Sequence, residues 1–222
     1  MVAQSRFTIL FAVAAVAALG AVASTASANM IQNGDFSVAA SDYLSGWTPT
    51  YPAVYGGLGV QGPGDVGGAA PGSRDNVFPP VSVTSGQQHF AFLQGGLVSQ
   101  TNLTLSLASL SQSFATIVGR KYLVTFYDAQ RGYDSSQRKY AQLQVQAIDS
   151  NNKVLVTVSS NAGGGLAINA NSWTANRFKF TADTTSTTLK FAVAPNSVPG
   201  KTVDFTAVDV TAAPMPKSTA LK

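Results

Sequence analysis

Beyond about residue 120 the chain keeps returning to an alternation of period two. Tyr122, Val124 and Phe126 interleave with Leu123, Thr125 and Tyr127. Leu143, Val145 and Ala147 alternate with Gln142, Gln144 and Gln146. Val154, Val156 and Val158 alternate with Leu155, Thr157 and Ser159, and Phe178 and Phe180 with Arg177 and Lys179. Leu189, Phe191 and Val193 alternate with Lys190 and Ala192. Successive side chains of an extended chain point to opposite sides, so each stretch has one core-facing set and one set turned away from it. Turn compositions separate them, at 149–152, 161–165, 183–186 and 195–200. No segment carries a helical repeat. Many short strands at this spacing predict an all-β chain folded as an antiparallel β-sandwich or jelly roll.

The first residues stand outside that pattern. Arg6 precedes an almost unbroken apolar run, Phe7 to Val22, and Ala26-Ser27-Ala28 follows as a small-x-small cleavage signal. Residues 1–28 therefore read as a secretory signal peptide, and residues 29–212 as one secreted domain, extracellular or periplasmic. No later segment is long and apolar enough to span a bilayer, so no membrane association is expected after cleavage. The chain has no cysteine, which excludes disulfides, thiolate zinc sites and a cysteine nucleophile. Only 11% of residues are charged and the net charge is +4. With the basic residues scattered at that density, a nucleic-acid partner is not expected.

Residues 49–87 are rich in glycine and proline and read as a long loop, and 213–222 as a disordered polar tail. His89 is the only histidine; Phe90 and Phe92 share one side of its stretch and His89 points the other way. The acidic residues are all Asp. A glycosidase needs two facing carboxylates, and nothing in the sequence joins Asp128, Asp134 and Asp149 into such a pair. The parity of Asp128 matches Tyr122 and Phe126, so it caps the core face of its strand, while Asp149 opens a turn. No catalytic residues are expected.

Several motifs resemble one group of proteins. Asn33-Gly-Asp-Phe36 followed by Gly46-Trp47 resembles the opening of galactose-binding-like jelly rolls, the group of secreted carbohydrate-binding modules and DUF642-type proteins. Ala91 to Gly95, Leu110 to Phe114, Gly119 to Tyr122 and Phe126 to Arg131 resemble its middle; Trp173 to Phe180, Leu189 to Phe191 and Val203 to Val210 resemble its close. The likeness covers about residues 30–212 and implies a jelly roll with adjacent terminal strands. It also implies a structural calcium between those strands, held by an acidic residue after the Asn-Gly-x-Phe turn and an Asp in the closing strand. Those positions here are Ser37 and Thr206, neutral hydroxyls in place of the anionic oxygens calcium prefers. Asp35, Asp204 and Asp209 are the remaining calcium candidates; otherwise no cofactor is expected. Bacterial relatives often carry a PEP-CTERM sorting anchor, and 213–222 resembles none.

The resemblance implies glycan binding, which needs aromatic rings for the apolar faces of sugars and amides or guanidinium groups for their hydroxyls. Tyr127 and Arg131 share the non-core side of one strand. Gln142, Gln144 and Gln146 form a row on the non-core side of the next, with Tyr133 between them in sequence. Tyr51 and Tyr55 lie in the Gly/Pro segment. Together these residues are the predicted polysaccharide-binding groove; Trp47 and Trp173 read as packing residues. Two alternatives use the same fold: a structural protein of an extracellular matrix or cell surface making protein contacts, and a glycoside hydrolase. Oligomeric state is unconstrained.

Overall fold

The computed structural model describes residues 28–38, 43–54, 56–61, 89–99, 101–102, 104–130, 141–160, 174–197 and 202–213. Residues 1–27 of the segment read as a signal peptide, and residues 214–222 of the segment read as a tail, lie outside them. All regular structure among the described residues is strand: β1 (Thr48–Thr50), β2 (Gly57–Gln61), β3 (Phe90–Gln94), β4 (Gly96–Leu97), β5 (Leu105–Ser106), β6 (Ser109–Ala115), β7 (Lys121–Gln130), β8 (Leu143–Asp149), β9 (Val154–Ser159), β10 (Thr174–Thr181), β11 (Ser186–Val193) and β12 (Thr202–Ala212). Two five-stranded antiparallel sheets result. The first runs β1-β6-β11-β8-β9 and the second β10-β7-β12-β3-β2; β4 and β5 form a small separate pair. This is the expected antiparallel β-sandwich. The segment read as a loop from residue 49 is partly strand: it contains most of β1 and all of β2, while residues 62–88 lie outside the described part.

The alternation correctly sorts the faces. Tyr122, Val124 and Phe126 of β7, Leu143, Val145 and Ala147 of β8, and Leu189, Phe191 and Val193 of β11 are buried in one core. β9 departs from its pattern. A register shift opposite Ala147 and Ile148 leaves Val154 at 45% exposure and packs Leu155 with Val156 against the core. An inserted residue shifts the parity on either side of it, which period-two reading cannot anticipate.

Five rings form the centre: Phe191 from the first sheet, Phe126 and Phe205 from the second, and Phe36 and Trp47 from the N-terminal segment. Phe126 meets Phe191 edge-on at 5.3 Å, Trp47 meets Phe191 at 5.9 Å, and Phe36 meets Phe205 at 5.5 Å. The Asn33-Gly-Asp-Phe36 motif sets this up. The Asn33 amide donates to the Tyr43 carbonyl and its Oδ1 accepts from Val38 N–H. The Trp47 indole N–H donates to the Asn33 carbonyl, 3.1 Å away. Gly34 lets β12 come close: a side-chain carbon there would sit 2.0 Å from the Val208 carbonyl oxygen. Asn29 adds a second tie to β12, donating to the Val208 carbonyl and accepting from Val210 N–H.

Candidate functional site

The predicted groove residues do not share a surface. Tyr127 is on β7 in the second sheet, and Gln144 and Gln146 are on β8 in the first. All three turn away from the core, so they lie on opposite outer faces of the sandwich. Alternation tells which side of its own strand a residue takes; it does not tell which sheet the strand joins. Gln142 is half-buried just before β8, where its side-chain Oε1 accepts from the Asn196 side-chain amide. Gln146 donates to the Thr157 hydroxyl on β9. Their neighbours on the outer face of the first sheet include Ser113, Thr188 and Lys190, and Ser113 and Thr188 bond to each other. Among the described residues that face carries hydroxyls, amides, the Lys190 ammonium group and Ile148, without aromatic rings, an ordinary solvated surface. Tyr51 follows β1 at the edge of the same sheet and is 60% exposed. Tyr55, Arg131 and Tyr133 lie outside the described residues.

The outer face of the second sheet is chemically different. Across it, Ala175 of β10, Tyr127 of β7 and Thr206 of β12 are in register. In the adjoining row Asp204 of β12 lies opposite Phe92 of β3, which in turn lies opposite Gly59 of β2. Phe90 and Gln94 flank Phe92 on the same side of β3. The central strand therefore carries short polar side chains while both neighbours carry rings, which makes a trough with aromatic sides. The two glycines of β2 shape one side. A methyl group on Gly59 would come within 2.9 Å of Phe92 Cε1, and one on Gly57 within 3.5 Å of Cε2, so the Phe92 ring lies down across β2. Glycine within a strand marks such a close approach.

Asp204 and Thr206 are buried although they point away from the core, and Phe90 is only 4% exposed. Phe92 and Tyr127 stay half-buried. The Thr206 hydroxyl donates to the His89 carbonyl at 2.7 Å, and the His89 ring stacks on Tyr43 at 4.8 Å. Sequence reading set Phe90 and Phe92 on the side of the strand opposite His89, and Phe92 within the Ala91 to Gly95 motif, but gave neither a binding role. A signal was present: β3 is apolar on both sides and β2 has glycine at every second position, a pattern of strands covered on both faces.

The calcium candidates do not converge. Asp35 accepts from the Ser37 N–H and hydroxyl. Asp209 lies opposite Thr125, and Asp204 lies beyond a register shift on the same strand, near Ala207 with its φ of 51°. Burial raises the Asp209 carboxyl above the usual carboxylate range. The Ser37 and Thr206 hydroxyls, at the positions the resemblance points to, are each engaged by protein partners. Among the described residues no group of three or more His, Cys, Asp or Glu could hold a metal ion.

Asp128 does cap the core face of β7, fully buried. Burial raises its pKa, partly offset by hydrogen bonds from the Ser160 hydroxyl and the Asn176 amide. Ser160 follows β9 in the first sheet, so this carboxyl clips the two sheets together. Asp149 opens its turn as expected, accepting from Asn151 and Lys153 N–H at 2.8 Å each. Asp134 lies outside the described residues.

No protein-family model matches the chain, and no curated protein matches it. Solved structures share its fold at low identity. The carbohydrate-binding module TmCBM61, solved with β-1,4-galactotriose, is 14% identical with a TM-score of 0.51, covering 84% of this chain and 100% of the module. An arabinose-bound GH51 α-L-arabinofuranosidase is 14% identical with a TM-score of 0.55, covering 84% of this chain and 27% of the enzyme. The enzymatically active domain of tailspike protein 4 of bacteriophage CBA120 is 11% identical with a TM-score of 0.51, covering 83% of this chain and 21% of the tailspike chain. The chain thus spans all of the binding module but only about a quarter and a fifth of the two larger proteins. What it shares with them is the β-sandwich.

Proposed function

We propose that this is a secreted, non-catalytic carbohydrate-binding protein of the galactose-binding-like kind, which takes a polysaccharide along the outer face of its second sheet. The observation that carries this reading is the trough itself. Tyr127 and Phe92 flank the polar pair Thr206 and Asp204, with Gln94 alongside. Rings suit the C–H faces of sugars and the half-buried Gln94 amide suits their hydroxyls, while Asp204 and Thr206 lie buried between the rings as the floor. The like-sized TmCBM61, with its bound galactotriose, supports the same reading at the level of fold. The described carboxylates Asp128 and Asp149 are taken up by local donors, which favours binding over hydrolysis.

Purified residues 29–222 on a glycan array and in affinity gels test it. Retention by at least one neutral polysaccharide is expected, reduced at least tenfold by Tyr127→Ala, or about 1.4 kcal/mol. A folded protein that no polysaccharide retains rules the reading out, and concentration-dependent self-assembly in its place would turn attention to a matrix or surface role.

A further inference from the structure

Along one side of the sandwich each sheet ends in an edge strand. Among the described residues β9 pairs only with β8 and β10 only with β7. A cavity of about 440 Å³ opens there, within the usual size of a small-ligand cleft. Three lysines line it, Lys121, Lys153 and Lys179, with a single carboxylate, Asp183. Asp183 pairs with Lys153. Lys121 and Lys179 have no carboxylate partner among the described residues. They stand close together, because Lys121 lies opposite Thr181 in the ladder and Lys179 is two residues from Thr181 on the same side of β10. The nearby Asp149 is buried and occupied with its own turn.

The rest of the lining is largely apolar: Val154, Leu155 and Val156 of β9, with Phe180 of β10. Val154 is held out at 45% exposure by the register shift in β9. Unpaired cations beside a flat apolar wall complement a ligand with an anionic group on a ring that has a C–H face. The free backbone groups of two sheet edges add donors and acceptors for hydroxyls. Exposed ring faces on which nucleic-acid bases would stack are absent from the lining.

We propose that the groove between β9 and β10 is a second binding site, for an acidic saccharide unit, with its carboxylate or sulfate held by Lys121 and Lys179 and its ring against Val154 to Val156. The proposal takes its ligand class from the glycan reading above; Lys121 and Lys179 share the outer face of the second sheet with Tyr127, but Lys121 opens β7 six residues before Tyr127, so the two sites are apart. Lysines on edge strands also discourage edge-to-edge association, so self-association is measured alongside.

Affinity electrophoresis of the full mature chain in polygalacturonate, dextran sulfate and neutral dextran provides the test, with dT30 as a competitor. The expected result is saturable, salt-sensitive retention by polygalacturonate or dextran sulfate, and which of the two retains it assigns carboxylate or sulfate. Lys121→Ala/Lys179→Ala should weaken that retention at least tenfold, Lys190→Ala on the outer face of the first sheet should leave it unchanged, and dT30 should not displace the polymer. Equal loss in the Lys190→Ala variant, displacement by dT30, or a double variant that self-associates yet still binds would overturn the proposal. So would retention by neutral glycans alone, which leaves the Tyr127 face standing. Retention by the acidic polymers that survives Tyr127→Ala, with no neutral glycan bound, would support the groove while removing the trough.

Discussion

The rings of Phe191 and Phe205 stack 4.4 Å apart and within 2° of parallel, one from each sheet. Neither residue has any measurable exposure. Around this pair the two sheets, Phe36 and Trp47 all meet, so the stack is the point where the sandwich is closed.

Phe205→Ala should therefore destabilise the fold by about 3–5 kcal/mol, the range for truncating a buried Phe in a close-packed core. Urea unfolding followed by tryptophan fluorescence measures it, since Trp47 lies 6.3 Å from Phe205. A midpoint unchanged from wild type would mean that the sheets are held together elsewhere.

Gly34→Ala tests the N-terminal docking. The new methyl would need space held by the Val208 carbonyl, 2.0 Å away, and backbone cannot yield as a flexible side chain can. A loss of about 1–3 kcal/mol is expected, as for overpacking. Faster hydrogen exchange at Val208 N–H, which donates to the Gly34 carbonyl, should accompany it.

Asp128→Asn should flatten the dependence of stability on pH. Burial raises the folded-state pKa above the unfolded value, so the native state holds its proton more tightly. Stability from this group is then greatest below the unfolded pKa of about 3.9 and declines as pH rises toward the folded value. The amide keeps the shape of the carboxyl and can still accept from Asn176 while donating to Ser160. Denaturation midpoints of wild type and variant from pH 3 upward, at about half-unit steps, should show the wild type losing ground to the variant as pH rises. Parallel curves would show that Asp128 has the same pKa in both states.

Gly59→Ala should disturb the trough without opening the core. Its methyl would press on Phe92 Cε1 at 2.9 Å and lift the ring from β2. Glycan affinity should fall several-fold while the unfolding midpoint moves by about 1 kcal/mol or less. Gln144→Ala and Gln146→Ala, on the opposite outer face, should leave affinity unchanged; a loss there would return the site to the glutamine row.

Much of this architecture was legible in the alternation, because burying one side of a strand forces a two-residue period. Phe36 and Trp47 were readable as core residues, and Asp128 as the end of a core face. The proposed binding face was not. Tyr127 is on it, but Phe90, Phe92, Asp204 and Thr206 come from β3 and β12, far from Tyr127 in sequence and joined to its strand only through sheet order. Long-range pairing of that kind leaves no local trace. The pairing of Tyr127 with the glutamines failed for the same reason: sequence neighbours β7 and β8 cross from one sheet to the other.

β12 joins β7 to β3, so it holds together the two halves of the second sheet although it is the last strand in sequence. A nascent chain that has not yet released Thr202–Ala212 has two unjoined strand pairs, β7–β10 and β2–β3, a Phe191 without its stacking partner Phe205, and bare ladder edges on β7 and β3. Chaperones and proteases act on such surfaces. Asp204 and Thr206 arrive on that same strand, so a partly synthesised chain has no trough. The proposed site and the fold are completed by the same strand.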